Sequence, residues 1–474
     1  MFGMKRSVHV LLLVSLWIQA SPAIAFLSNG RWSFTATDGV TSPLGTSVNV
    51  TWSIVPDGTA IPGEGGSDLV SFLDSAFGSG GGADLTQRPW FTFFEHSFER
   101  WNELSGLNFI YEPADDGVAL RGLGGIVGIR GDVRMGGAFL DGNGGTLAST
   151  GFLNDADITI DTGDDNYYGN SNPNNTYQNF HNTLMHEIGH AFGLGHIEST
   201  SLFLMEPFTN AAINGPQLDD IRGIHYLYGD INESANDGGG NNTIINATNL
   251  GVVALGENVA KGTHAATGTF VLPEEADFLS ISNQNDVDYF SFEITSSSLL
   301  DLVVTPLGPN YTERLGSSGP YTTTMSGAVS NLSLELYAIV EGNPLLLASA
   351  NSNPIGQAES ILDFTLTDPG QYYFRIAGST SVIQLYQFSL SVEEIDLPVP
   401  GDFDGDGDVD GADFLSWQRG QSPSPLSSTD LALWQENYGA VQNIGAIEVV
   451  PEPDCQIVCL SLLTVFAFQR KAII

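Results

Sequence analysis

The stretch His186-Glu187-Ile188-Gly189-His190-Ala191-Phe192-Gly193-Leu194-Gly195-His196 decides how this chain is read. His186 and His190 stand four apart, so a helix puts both imidazoles on one face, where they can grip one zinc ion. Glu187 lies beside them, within reach of a metal-bound water. The helix must then end sharply for His196 to swing round as a third ligand. Gly193 supplies the positive φ that such an exit needs, and Gly195 eases it further. Three neutral imidazoles leave a fourth position open, as a hydrolytic zinc requires. Upstream, residues 180–185 continue the helix with apolar side chains toward a core.

These residues resemble the metzincin metalloproteases, and their form is most similar to the matrixin branch. Met205, nine residues past His196, resembles the Met-turn, an apolar base beneath the zinc that does not ligate it. Residues 218–229 resemble the family's C-terminal helix behind the site. Arg31-Trp32 and residues 48–55 resemble its first strand, and residues 94–101 its first long helix. The resemblance spans residues 26–232, with an insertion near 60–90. It implies an α+β catalytic domain, a twisted mixed sheet with long helices. Ile197 stands where matrixins usually carry Ser, and Glu206 where their Met-turn carries Tyr. Thr159 stands where a ligand of a second, structural zinc would be His, so one zinc is expected. Asp141, with the glycines after it, and Asp161 with Asp164 resemble the two halves of the family's calcium loop, and such oxygen ligands suit that ion.

The implied chemistry is peptide-bond hydrolysis, with Glu187 as general base. The resemblance places an extended substrate beside Thr146, Leu147 and Ala148 as an added strand. No Cys precedes Cys455, so a cysteine upstream of the domain cannot block the metal. His181 falls off the metal face and His225 lies on the rear helix; both read as ordinary histidines.

Acidic residues number 55 against 15 basic ones, a formal net charge of −40 over 474 residues. Such a surface repels nucleic acid and anionic lipid, which excludes a DNA- or RNA-binding role. Apolar residues make up 42% of the chain, enough for real cores and too many for disorder. Cys455 and Cys459 are the only cysteines, so stability must come from packing or bound metal rather than a disulfide framework.

The ends read as targeting segments. Lys5-Arg6, an apolar run from Val8 to Ile18, and Ala23-Ile24-Ala25 form a signal peptide over residues 1–25. Residues 450–474 place Pro451-Glu452-Pro453 before an apolar run and Arg470-Lys471, which resembles a PEP-CTERM sorting tail. That resemblance implies an exosortase-like processing enzyme at the membrane. The expected destination is secretion or the cell surface, with transient anchoring by the tail.

Between the ends, the polar residues 233–242 read as a linker. Residues 243–395 alternate apolar and polar side chains, as in Asp288–Ile294, Leu332–Tyr337 and Gln371–Ile376, and predict an all-β sandwich. Short pieces at 247–251, 286–290 and 370–375 resemble the pre-peptidase C-terminal domain. A second linker follows at 397–401, then a small helical module at 401–440. Asp402, Asp404, Asp406, Asp408, Asp410 and Asp413 take positions 1, 3, 5, 7, 9 and 12 of an EF-hand calcium loop, with Gly407 at position 6. The closing Asp resembles dockerin-type loops. Residues 413–418 recur as 430–435, but no ligands precede Asp430, so one calcium and no cohesin partner are expected.

The sequence therefore predicts an exported zinc metalloendopeptidase acting on protein or peptide substrates. The competing reading is a calcium-binding cell-surface adhesin or matrix protein with a vestigial protease domain.

Overall fold

The computed structural model describes residues 26–80, 82–151, 153–170, 177–265, 268–316, 319–395 and 399–440. The signal-peptide and sorting-tail readings lie outside these residues. The described residues up to Glu393 form one compact unit, and those from Glu394 onward a second.

The first unit begins with β1 (Leu27–Ser28) and β2 (Val48–Ile54). Val48, Val50, Trp52 and Ile54 alternate onto one face of β2, as a period of two requires. There they meet α2 (Phe91–Leu104), which follows a shorter helix α1 (Leu69–Phe77) in the expected insertion. Trp52 stacks on Phe98 with ring centroids 4.4 Å apart. Four further strands follow: β3 (Leu107–Tyr111), β4 (Val133–Ala138), β5 (Ala148–Thr150) and β6 (Ile158–Asp161). The sheet order is β3-β2-β4-β6-β5, parallel throughout except for β5, which runs antiparallel at the edge.

Next comes α3 (Gln178–Ala191), whose Phe180, Leu184 and Ile188 enter the same buried cluster as Trp52 and Phe98. The chain leaves α3 through β7 (Leu194–Gly195) and β8 (Ile197–Ser199), then returns as α4 (Leu218–Tyr228). β7 pairs with β1, so the N-terminal residues brace the helix exit. Arg31-Trp32 lies outside the sheet strands. The Trp32 indole N–H donates to the Ala191 carbonyl at 2.7 Å, and Arg31 sits over the Tyr228 ring.

Residues 233–242 are not the predicted linker. Glu233 and Asn241 are buried, the Tyr289 N–H donates to the Asn241 carbonyl at 3.0 Å, and the Asn242 amide donates to Glu233 at 2.9 Å. Asn and Gly are the usual composition of solvated chain. Here the Asn242 side-chain amide instead partners buried Glu233.

The strands that follow are β9 (Thr248–Val252), β10 (Asn258–Lys261), β11 (Leu279–Ile281), β12 (Val287–Ile294) and β13 (Ser298–Leu307). Then come β14 (Asn310–Leu315), β15 (Thr322–Met325), β16 (Leu332–Val340), β17 (Asn343–Ala350), β18 (Glu359–Leu366), β19 (Gly370–Gly378) and β20 (Gln384–Glu394). One sheet runs β9-β12-β19-β16-β17 and the other β10-β20-β13-β18, with β11 also on β20. Phe290, Phe374 and Phe388 meet between them. This is the expected sandwich, in which β9 pairs in parallel with β12. The hairpin β14–β15 belongs to neither sheet; it pairs with β8, outside the sandwich.

In the second unit, α5 (Gly411–Gln418) and α6 (Ser428–Asn437) pack Phe414 against Trp434, centroids 4.8 Å apart. The internal repeat is visible in the hydrogen bonds. Asp413 accepts from the Phe403, Asp404 and Asp410 N–H groups, and Asp430 from the Ser424 N–H.

Gly193 shows why the helix exit needs glycine. Its φ is +94°, and a Cβ there would lie 1.9 Å from the Gly30 carbonyl oxygen. Gly193→Ala should lower unfolding stability by more than about 2 kcal/mol, since strain and clash combine. An unchanged denaturation midpoint would show that the exit does not depend on this close approach.

Candidate metal centre

Helix α3 divides its faces as the sequence predicts. His186, Glu187 and His190 line the cleft while the apolar residues face the core. Nδ1 of His186 lies 2.7 Å from the Leu204 carbonyl, and Nδ1 of His190 lies 2.7 Å from the Leu194 carbonyl. A carbonyl only accepts, so both Nδ1 atoms carry hydrogen and both Nε2 atoms present lone pairs. His196 swings round as expected. Its Nε2 lies 3.1 Å from Nε2 of His186 and 2.9 Å from Nε2 of His190. All three nitrogens lie close enough together to hold one ion. The donor set thus fits zinc, with carbonyl acceptors orienting two of the rings. Burial keeps the imidazoles neutral: it lowers His186 and His190 to about 4 and also depresses His196.

Glu187 is buried beside the three nitrogens and accepts from the Thr150 hydroxyl at 2.5 Å. Burial raises its carboxyl above the ordinary range, while His190 and the Thr150 bond pull the other way. Met205 sits beneath α3. A Cβ on Gly189 would fall 2.5 Å from its sulfur, so the glycine makes room for the Met-turn. The turn is held by Asp220, which accepts from the Leu204 and Met205 N–H groups at 2.8 and 3.1 Å and caps α4 at Gln217. Burial pushes Asp220 up to about 7 against those three bonds.

The cleft holds about 670 Å³ and is walled by residues 144–150 on one side and Pro207, Phe208 and Thr209 on the other. Of the expected substrate strand, Thr146 and Leu147 are already engaged. The Thr146 N–H donates to Asp141, and the Leu147 carbonyl accepts from the Asp161 N–H and the Tyr168 hydroxyl. The regular edge strand is β5, Ala148–Thr150, two residues further on. Ser149 pairs inward with Thr159, so alternation turns the backbone groups of Ala148 and Thr150 toward the cleft.

Residues 81–229 match the matrixin family. The match supports a zinc-dependent metalloprotease. The matrixin segment takes in α2, the edge strand, α3, the Met-turn and α4. No curated protein matches the chain. Among solved structures, the chain is similar to the pre-peptidase C-terminal domain of collagenase from Bacillus anthracis. Identity is 15% over 31% of this chain and 94% of that one, with a TM-score of 0.17. A protein from Sulfurospirillum deleyianum is 14% identical over 29% of this chain and 98% of that one, with a TM-score of 0.16.

Within the matrixin segment, Asp141, Asp161 and Asp164 come near one another, but Asp161 spends its carboxylate on the N–H groups of Leu140, Asp141, Gly142 and Gly163. These three do not form a group of ligand atoms within 4.8 Å among the described residues. Asp402, Asp404 and Asp413 do, as do Asp408, Asp410 and Asp413. Asp406 joins neither group; it accepts from the Asp408 N–H. His181 packs near Phe93 and His96. His225 is buried, with one nitrogen on Ser280 and the other on the Leu104 carbonyl.

Sequence reasoning missed Thr150, Asp220 and a second acidic group. Thr150 and Asp220 act through contacts distant in sequence, although Asp220 carried a local signal as the partner of Gln217 in a capping box. The acidic group is Glu233, Asp286 and Asp288, whose ligand atoms lie within 4.8 Å of one another, all buried, with Asp230 near enough to repel them. One oxygen each of Asp286 and Asp288, and both polar side-chain atoms of buried Asn241, have no hydrogen-bond partner. Burial first, and then mutual repulsion, raises all three carboxyls. An all-oxygen set of this kind suits a hard divalent cation such as calcium.

The sign of the pH effect follows. Groups with raised folded pKa values contribute stability below about 4.5, the ordinary carboxylate value, and lose it as pH climbs. In cation-free buffer the melting temperature should therefore fall from pH 5 to pH 8. The double variant Asp286→Asn with Asp288→Asn should melt higher than wild type at pH 8, and the unit that ends at Glu393 should lose its calcium-dependent gain in melting temperature, while the separate unit with residues 402–413 keeps its own response. A variant whose first unit melts lower without cation, and still gains from calcium as wild type does, would dismiss this group as a cation site.

Proposed function

We propose that the chain is an exported zinc endopeptidase that cuts extracellular proteins, with Glu187 as general base. The observation that carries this reading is the convergence of three histidine Nε2 atoms beside a buried carboxylate, at the foot of a cleft with an open strand edge.

Zinc bound there would acidify its water and polarise the scissile carbonyl. The Glu187 carboxylate takes the proton from the attacking water and returns it to the leaving amine. The Thr150 hydroxyl holds that carboxylate in place. The Ala148 and Thr150 backbone groups pair with an extended peptide, so a polypeptide fits the cleft better than a compact molecule. The intact His186, Glu187, His190 and His196 set favours catalysis over a vestigial domain in an adhesin.

Three further parts belong to this proposal. Residues 1–25 direct export. Residues 450–474 deliver the chain to a membrane-bound, exosortase-like processing enzyme. One calcium ion orders residues 402–413, where desolvation first, and then repulsion from neighbouring carboxylates, raises Asp404 and Asp408. The sandwich is read as a pre-peptidase C-terminal-like domain on the short pieces at 247–251, 286–290 and 370–375.

Purified protein should contain one tightly held zinc per chain and degrade casein in a chelator-sensitive way. Glu187→Ala should keep its zinc and lose about 10²–10⁴-fold in cleavage rate, the span typical of a general base. Retained full activity would overturn the role of Glu187, and absence of zinc would overturn the enzyme reading.

A further inference from the structure

The chain that carries His196 is short and has few partners within its own half. On one side β7 pairs with β1. On the other side β8 pairs with β14, a strand that leaves the sandwich: Ile197 lies opposite Leu315, Glu198 opposite Arg314 and Ser199 opposite Glu313. The ladder extends to the metal-ligand residue itself. The Gly316 N–H donates to the His196 carbonyl at 2.9 Å, and the Thr200 N–H donates to the Thr312 carbonyl at 3.1 Å.

Side chains reinforce the backbone. Nε of Arg314 donates to Glu198 at 3.1 Å across the ladder. Tyr311 packs with Ile197 and Phe203 in a small buried cluster. Its hydroxyl donates to Asp219 and accepts from Arg222, both on α4 and both buried. Asp219 adjoins Asp220, which holds the Met-turn. One sandwich strand therefore touches the segment bearing the third ligand and the helix that anchors the base of the site.

We propose that the Asn310–Met325 hairpin is a positioning element for the metal centre, fixing His196 so that its ring meets those of His186 and His190. The sandwich then completes the metal site rather than merely spacing it from other modules. This rests on the zinc reading above. A segment lacking this ladder would rest on β1 and on the Ile197 N–H bond to the Met205 carbonyl at 3.1 Å. His196, which reaches the site from outside the helix, would lose its fixed approach, whereas His186 and His190 are set by α3.

The fold offers a clean excision. The Ser326 hydroxyl donates to the Pro309 carbonyl at 2.7 Å, so the base of the hairpin is closed and Gly-Gly can replace residues 310–325. Zinc affinity by chelator competition and amide exchange over residues 194–206 are read on the full chain. The excised protein should bind zinc about 10–100-fold more weakly, the effect typical of lost outer-shell support, with faster exchange over 194–206. Unchanged affinity and unchanged exchange would overturn the proposal.

If the excised protein does not fold, Arg314→Glu decides. It should weaken zinc binding and speed exchange, and the charge swap with Glu198→Arg should restore both. No change in either, or no restoration by the swap, would overturn the proposal. Wild-type protein that binds no zinc would bring down the metal reading instead, and exchange over 194–206 in the variants would still test the clamp.

Discussion

Everything at the cleft depends on where two protons sit. The Leu204 and Leu194 carbonyls each hold a hydrogen on the far nitrogen of an imidazole, which leaves the near nitrogen bare. Burial forbids those rings a positive charge. Two bare nitrogens, each about 3 Å from Nε2 of His196, then form with it a donor set that a divalent cation can hold together. The same carbonyls belong to the Met-turn and to the helix exit. The backbone that builds the floor of the cleft therefore also chooses the tautomers. Asp220 matters for this reason: by gripping two consecutive N–H groups of the turn, it fixes the direction of the Leu204 carbonyl.

The parts of this site legible in the sequence are those encoded within a few residues. Two histidines one helical turn apart, a glycine at a positive-φ exit and a methionine a fixed distance on are local relations, and the structure places them together. The strand at 48–54 and the helices around 94–101 and 218–228 were legible through the resemblance of those stretches to the matrixin pattern. Thr150 was not, because its meaning lies in a carboxylate 37 residues away. The edge strand was read two residues early. Nothing in the composition of residues 144–150 reveals that Asp141 and Asp161 have already claimed the first backbone groups.

The polar stretch at 233–242 misled for a physical reason. Asn and Gly mark solvated chain when their amides bond to water, and they mark a packed crossing when those amides bond to buried backbone and carboxylates. Composition cannot separate the two cases. The difference comes from the start of β12, where Asp288 and the preceding Asp286 arrive from far along the chain to face Glu233. The hairpin β14–β15 was equally illegible. Its alternation reads as one more sandwich strand, and only the ladder to β8 shows that it serves the other half.

That shared ladder bears on how such a molecule can change over generations. Domains joined by a slack tether can be traded between genes with little harm to either. Here a strand of one half is stitched against the residue following a metal ligand of the other, so a crossover placed between the halves would break both at once. Residues 26–394 would accordingly be inherited as a single cassette, and recombination would be tolerated beyond it, where the chain passes to the small helical module.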